Sequence, residues 1–385
     1  MKGLERVRMK KAVMISCFGW YERRLAPIKE LISKEYETTI YMGDFIHSTK
    51  ETVTKQFDDC RYIHINPYKK NISLKRLYSH FNFSKQIYRI LKKEKPDLIY
   101  ALIPPNSVAN YCAKYKRKNP ECRLVFDVID MWPESMPLGK IENSPPGNIW
   151  RDLRNKALTK ADYVYTECEF YQKELYEVLP ERFGTLYLLK KQTTEQKQLI
   201  HKIISEKEEN ELKKIDIGYV GSINNIIDID NIVKIVNFLK QYYEIRIHII
   251  GDGESRESLI KQLNSQMVKV EYYGKVFEEF QKIKILASCD VALNLMKSSV
   301  KVGLTIKSLD YFSYGLPIIN NIKGDTWNLL GKEMPGFNFE YNYKELLEFV
   351  QKIDKSMHFE VFNTYEKYFS LEAFNKQLED CFMEL

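Results

Sequence analysis

Residues 302–320 read VGLTIKSLDYFSYGLPIIN, and their reading decides the fold of the second half of the chain. Gly303 stands in a loop that opens a helix, Lys307 and Asp310 share one face of that helix, and Gly315 ends it before Pro317 and the apolar run Ile318–Ile319. The three-residue spacing puts an ammonium and a carboxylate on neighbouring turns. Both lie beside a helix N-terminus, whose unpaired N–H groups and partial positive charge form a seat for phosphate. A carboxylate one turn further in can accept hydrogen bonds from ribose hydroxyls. The combination points to a nucleoside diphosphate with a sugar at its end.

Short apolar runs alternate with amphipathic segments on both sides of this stretch, the signature of parallel-sheet units. In the second half strands are expected at 215–220, 245–250, 268–273, 291–295 and 316–320, with helices at 229–242, 255–266, 278–288, 305–314 and 343–353. In the first half strands are expected at 12–17, 38–42, 61–65, 97–101, 124–128, 163–166 and 186–189, with helices at 74–93 and 108–116. The charged, strand-poor stretch 191–213 reads as an interdomain connection, either helical or irregular. The expected layout is therefore a first Rossmann-like domain over 1–190, a connection over 191–213, a second such domain over 214–357 and a terminal helix over 358–385. Ligands of doubly wound sheets bind at the carboxyl ends of the strands.

A chain of 385 residues exceeds one compact core, and 44% hydrophobic with 29% charged residues is the composition of a globular protein. The seven cysteines (17, 60, 112, 122, 168, 289, 381) form no C-x-x-C pair, which argues for reduced thiols in a cytosol and against a zinc site. The six histidines are equally dispersed, so no metal centre is expected. There is neither an apolar leader nor an eighteen-residue apolar window, so a cytoplasmic protein is expected. Residues 1–120 hold 25 Lys and Arg against 11 Asp and Glu, whereas the remainder holds 34 against 41. The basic part either faces an anionic surface, such as a membrane, or is simply a solvated lysine-rich face.

Several local patterns carry two readings. Gly221-Ser222 follows a strand and precedes a helix, as a phosphate-approaching loop or an ordinary turn. Asp228-Ile-Asp230 has the D-x-D form of a metal-nucleotide site, but at a helix start the capping reading prevails. Gly251-Asp-Gly253 offers a G-x-G, yet Arg256 occupies the third glycine's place and argues against a dehydrogenase. Arg23 and Arg24 after Gly19-Trp20 are either phosphate contacts or exposed helix arginines, the commoner situation. Asp130, Trp132 and Glu134 follow a buried-looking strand, as acceptor-side groups or as a cap plus a core tryptophan. The interleaved aromatics and lysines of residues 66–95 fit a membrane-surface helix, a single-stranded nucleic-acid platform, or the buried face of a Rossmann helix. Burial is favoured for most of the aromatics.

The run from Lys307 through Asp310, Tyr311, Gly315 and Pro317 to Ile318 resembles the donor-site motif K-x-x-E-Y-M-A-x-G-x-P-V of the GT-B glycosyltransferases, family 4. Many members carry a glutamate eight residues before the second acid; Val302 stands there in this chain. Members often place Arg and Lys after the glycine of the first strand of this domain, and neither follows Gly221 at the corresponding places. The resemblance implies an α/β fold of two Rossmann-like doubly wound domains facing a central cleft, with a C-terminal helix returning to the first. It implies donor contacts from Gly19, Gly221, Ser222, Gly253, Lys275, Val276, Gly303, Leu304, Thr305 and Asp310, with Lys307 as the diphosphate's cation. The segment from Asp130 through Trp132 to Glu134 is similar to the D-x-W-P-E run of a bacterial subgroup that builds surface polysaccharides, which implies that Asp130 or Glu134 orients the acceptor. The activity implied is a retaining, metal-independent transfer from a nucleoside-diphosphate sugar, UDP first, to a saccharide or lipid-linked saccharide. A GT-B-like binding subunit without catalysis is the alternative. No nucleic-acid module is recognisable, and no cofactor is expected.

Overall fold

The structure, a computed structural model of the chain, describes residues 9–19, 21–47, 49–70, 73–136, 144–207 and 214–382. The chain divides into two units, one holding the residues up to Leu188 with those from Asn375 on, the other Leu189–Phe374.

The first unit is built on β1 (Lys10–Ser16), β2 (Tyr36–Gly43), β5 (Cys60–Ile63), β6 (Leu98–Ile103), β7 (Arg123–Val128), β8 (Tyr163–Thr166) and β9 (Phe183–Thr185). They pair in parallel in the order β5-β2-β1-β6-β7-β8-β9. A short antiparallel ribbon joins β3 (Phe45–Ile46) to β4 (Glu51–Thr52). All residues of β6 are buried, as a continuous apolar run must be when helices cover both faces of a parallel sheet. The helices are α1 (Ala26–Ile32), α2 (Leu74–Glu94), α3 (Asn106–Lys116), α4 (Pro145–Leu158) and α5 (Glu169–Leu175).

The second unit has a parallel sheet of β10 (Lys214–Val220), β11 (Glu244–Ile250), β12 (Lys269–Gly274), β13 (Val291–Asn294), β14 (Ile318–Asn320) and β15 (Phe337–Asn338). The order β12-β11-β10-β13-β14-β15 makes β10 the innermost first strand, and the chain reverses its direction of winding between β10 and β13. Its helices are α6 (Thr194–Ser205), α7 (Ile229–Leu239), α8 (Arg256–Ser265), α9 (Glu279–Leu286), α10 (Ile306–Ser313), α11 (Asp325–Lys332), α12 (Tyr343–Gln351) and α13 (Lys355–Phe369). α14 (Leu371–Phe382) begins in this unit, and its residues from Asn375 on belong to the first. Both sheets are open, parallel and Rossmann-like, which is the expected α/β class.

Three local expectations differ from the structure. The stretch 191–213 contains α6, which packs on α9 and α13 within the second unit through buried Ile200 and Ile204; residues 208–213 lie outside the described ones. The last strand of the first sheet is β9, not 186–189, because the leucines there are buried in extended chain beyond the ladder. Arg24 is not an exposed helix arginine. It is fully buried and clasps Asp127 of β7 through Nε and Nη2 at 2.7 and 2.6 Å, while Nη1 donates to the carbonyls of Leu186 and Tyr187. Burial opposes the guanidinium's charge, but Asp127 more than offsets this and its pKa rises above the ordinary value. Trp20, four residues before Arg24, lies outside the described residues.

Removing one partner of a buried ion pair strands the other's charge. Asp127→Ala is therefore expected to cost about 3–5 kcal/mol in urea unfolding. Asp59→Ala breaks a partly exposed contact to Lys29 and is expected to cost about 1 kcal/mol or less. Equal losses for the two variants would refute this assignment.

Candidate donor site in the second unit

The sequence β13, loop, α10, β14 positions the site, because α10 lies beside β10 where the winding reverses. Thr305 caps α10, its Oγ1 accepting from the Ser308 amide at 3.0 Å and contacting the Ser308 hydroxyl at 2.8 Å. Tyr311 on α10 donates through its hydroxyl to the Leu293 carbonyl at 3.2 Å and accepts from the Val220 amide at 2.9 Å. These bonds pin the helix against the carboxyl ends of β10 and β13. That edge between reversing strands is where doubly wound sheets take ligands.

Lys307 runs from α10 beneath the loop after β10. Its Nζ donates to Tyr219 Oη at 2.9 Å and stands 4.6 Å from the centre of that ring. A Cβ added to Gly221 would come within 3.2 Å of the Lys307 stem, and Gly221 itself has φ +113°. Gly251 (φ +141°) is tighter: its Cβ would sit 1.9 Å from the Gly221 carbonyl oxygen. Glycine is therefore favoured at both places by conformation, and at Gly251 it is required by contact as well. Burial lowers the pKa of Lys307 to about 7, and among the described residues no carboxylate pairs with it. The ammonium is thus poised to gain from an anion that enters and restores its charge.

The other expected donor residues gather on the same carboxyl edge, in different roles. The Gly221 amide is already bonded to the Ile250 carbonyl at 2.9 Å, and the Ile223 amide to the Asp252 carbonyl at 3.0 Å. Ser222 is exposed between them, and its carbonyl accepts from Tyr219 Oη at 3.0 Å. Gly253 lies against the Ile223 carbonyl in the loop after β11. Lys275 is exposed and Val276 half-buried after β12. Gly303 and Leu304 are buried before α10, with the Gly303 carbonyl accepting from Thr326. Asp228 caps α7 at the Asn231 amide, 3.1 Å.

Asp310 departs most from the expected arrangement. It is not a free carboxylate: its Oδ1 lies 2.9 Å from Lys190 Nζ, an ionic contact off the hydrogen-bond direction. Lys190 also meets Glu279 at 2.7 Å, and Glu279 takes further contacts from Lys282 and Tyr314. Burial alone would raise the Glu279 carboxyl, but Lys190, Lys282 and Tyr314 override it and bring the pKa to about 2. Nothing in the sequence ties Lys190 to Asp310, since 120 residues separate them and no periodicity spans that gap.

In the first unit, Gly19 follows β1 with open space where a Cβ would stand. The expected acceptor-side carboxylates are engaged in the fold. Glu134 is bidentate to buried Arg154 at 2.7 and 2.9 Å and meets Arg151 at 2.9 Å. Burial would raise its pKa, yet Arg154 prevails and holds it below the carboxylate range, the opposite of what a general acid needs. Asp130 accepts from Trp132 Nε1 at 2.7 Å and from the Ser135 hydroxyl, and burial raises its pKa. Trp132 is itself buried, stacked with His80 and edge-on to Phe18 and Trp150, with the Arg76 guanidinium 4.4 Å from its ring centre. It has no open face for a sugar, so the core reading replaces the stacking one. Among the described residues no three His, Cys, Asp or Glu side chains converge as metal ligands would.

The family model described as Glycosyl transferases group 1 matches residues 214–355, which hold the whole of this carboxyl edge from β10 to α10. Over those residues the second unit is similar to the group 1 glycosyltransferases, and the chain as a whole shares the fold of solved GT-B glycosyltransferases. Anabaena Alr3699/HepE, solved in complex with UDP, superposes with a TM-score of 0.65 at 12% identity, covering 98% of this chain and 100% of that one. The lipopolysaccharide outer core galactosyltransferase WaaB gives 0.67 at 15% identity, covering 98% and 100%. Sucrose-phosphate synthase from Thermosynechococcus elongatus gives 0.68 at 11% identity, covering 97% and 98%. No curated protein sequence matches the chain significantly.

The lowered pKa of Lys307 sets a sign for pH effects. Its folded value lies below the unfolded value of about 10.4, so the folded state holds fewer protons between about pH 7 and pH 10, and the burial penalty is relieved as pH rises through that window. Lys307→Met is expected to stabilise the unliganded protein more at pH 6 than at pH 9, measured by thermal unfolding. A destabilised Lys307→Met protein at pH 6 would contradict the burial argument.

Proposed function

We propose that the protein is a retaining glycosyltransferase. It moves a sugar from a nucleoside diphosphate, UDP first, to a saccharide or lipid-linked saccharide acceptor in the assembly of a cell-surface polysaccharide. One observation carries the reading: a buried lysine, without a carboxylate partner among the described residues, lies under the glycine loop where the strand order reverses, in the region that the group 1 glycosyltransferase model matches. Anabaena HepE with UDP-glucose supports UDP as the donor base, and WaaB supports a glycan acceptor.

In this reading negative charge builds on the leaving diphosphate as the bond from the sugar's anomeric carbon breaks. Lys307 and the amides that open α10 stabilise it from fixed positions, without reorganisation at the moment of reaction. The acceptor hydroxyl attacks the same face and passes its proton to the departing phosphate oxygen, so no protein base is needed. Lys307 and the amides supply the positive charge, and the reaction is read as metal-independent. Asp310 reaches a ribose only with Lys190 still bound to its other oxygen, a weaker acceptor than a free carboxylate.

A second reading is a nucleotide-sugar-binding subunit without turnover. Two observations favour it: Val302 stands where relatives carry a glutamate, and Asp310 is already held by Lys190. Titration of the protein with UDP, GDP, ADP and TDP sugars, followed by a slow donor-hydrolysis assay, separates the readings. The enzyme reading expects one donor to bind and hydrolyse, the subunit reading expects binding alone, and no binding by any nucleotide defeats both.

Three further results are expected. Lys307→Met should weaken UDP binding about 10- to 100-fold, the loss of a charge-assisted contact. Wild-type affinity should fall as pH rises above about 7, where Lys307 loses its proton, and the variant should lose this dependence. Turnover should survive EDTA; a loss restored by Mg²⁺ or Mn²⁺ would overturn metal independence.

A further inference from the structure

Helix α2 has two apolar sides. Phe83, Ile87 and Leu91 are buried in the core of the first unit. Leu74, Leu77, Tyr78 and Phe81 recur at i, i+3, i+4 and i+7 on another face and stand in solvent, 84%, 41%, 63% and 50% exposed. Sequence periodicity assigns most of this helix's aromatics to the core, which holds for Phe83 but not for Tyr78 or Phe81. The stripe continues onto neighbouring helices. Phe81 lies 5.8 Å from the Tyr111 ring of α3, Leu77 and Trp150 of α4 line one small cavity, and Ile149 beside Trp150 is 65% exposed.

Charge frames the same surface. Residues 69–118 contain thirteen Lys and Arg against two Asp and Glu, and Lys70, Lys75 and Lys85 are exposed around the stripe. We propose that this face, the first half of α2 with the start of α4, docks the protein on an anionic lipid bilayer. A contiguous row of large apolar side chains marks an interaction surface. A one-sided excess of lysines around it matches a negatively charged lipid surface, with the apolar row entering at headgroup depth and the lysines meeting phosphates. Docking of this kind does not depend on the donor chemistry and stands or falls separately from it.

The test uses the full chain in sedimentation with vesicles of phosphatidylcholine, with and without phosphatidylglycerol. Binding is expected only with phosphatidylglycerol and should weaken as salt is raised. Leu74→Ser combined with Tyr78→Ser should weaken it about tenfold. Lys70→Gln, Lys75→Gln and Lys85→Gln together should remove the preference for phosphatidylglycerol. Both variants change exposed side chains and should keep wild-type circular dichroism and nucleotide affinity. Three outcomes would overturn the proposal: no binding to phosphatidylglycerol vesicles at low salt, variants that bind like the wild type, or an apolar variant that instead abolishes self-association in sedimentation velocity. The last would make the face a contact between copies of the chain.

Discussion

The second unit turns on a place where two backbones touch with no room for a Cβ. Gly251 packs against the Gly221 carbonyl, and the Gly221 loop in turn rests on the stem of Lys307. This contact fixes the loops after β10 and β11 to each other and holds α10 at the reversal of the sheet. It also removes water from around an ammonium, which is why the lysine titrates near neutrality instead of near its ordinary value. A charge kept in so dry a place is costly when the site is empty and gains most when an anion arrives. The same packing that builds the fold thereby creates the electrostatic preference.

Several other buried charges among the described residues are neutralised by a partner. Asp127 is tied to Arg24, Glu134 to Arg154 and Arg151, Asp310 and Glu279 to Lys190. Each pair offsets a desolvation cost that neither partner could bear alone. The acids that look catalytic in sequence are therefore largely occupied in holding strands and helices together. Lys307 stands apart from them because its neighbours are a tyrosine and the Gly221 loop.

Much of the architecture was legible without coordinates. Strands such as β8 and β10 and the helices from α7 to α10 follow from apolar runs and 3.6-residue periodicity, with breaks at glycine and proline. Some of the segments that escaped notice have too few residues to show a period. The ribbon of β3 and β4 and strand β15 have two residues per strand. The stretch 191–213 reads as a charged connection compatible with a helix; its place within the second unit rests on the burial of Ile200 and Ile204, which no local pattern assigns.

What the sequence determined by itself is the class: alternating strands and helices, a glycine-stopped helix with Lys307 near its start, and a basic first half. Those properties are local, and chain spacing alone encodes them. What only the tertiary structure decided is the partner of each charge and the face of each aromatic. Asp310 meets a lysine 120 residues away, Trp132 turns into the core, and Tyr78 and Phe81 turn out of it. Burial and pairing depend on which elements the fold brings together, and a periodic pattern cannot say which of two apolar sides will find a neighbour.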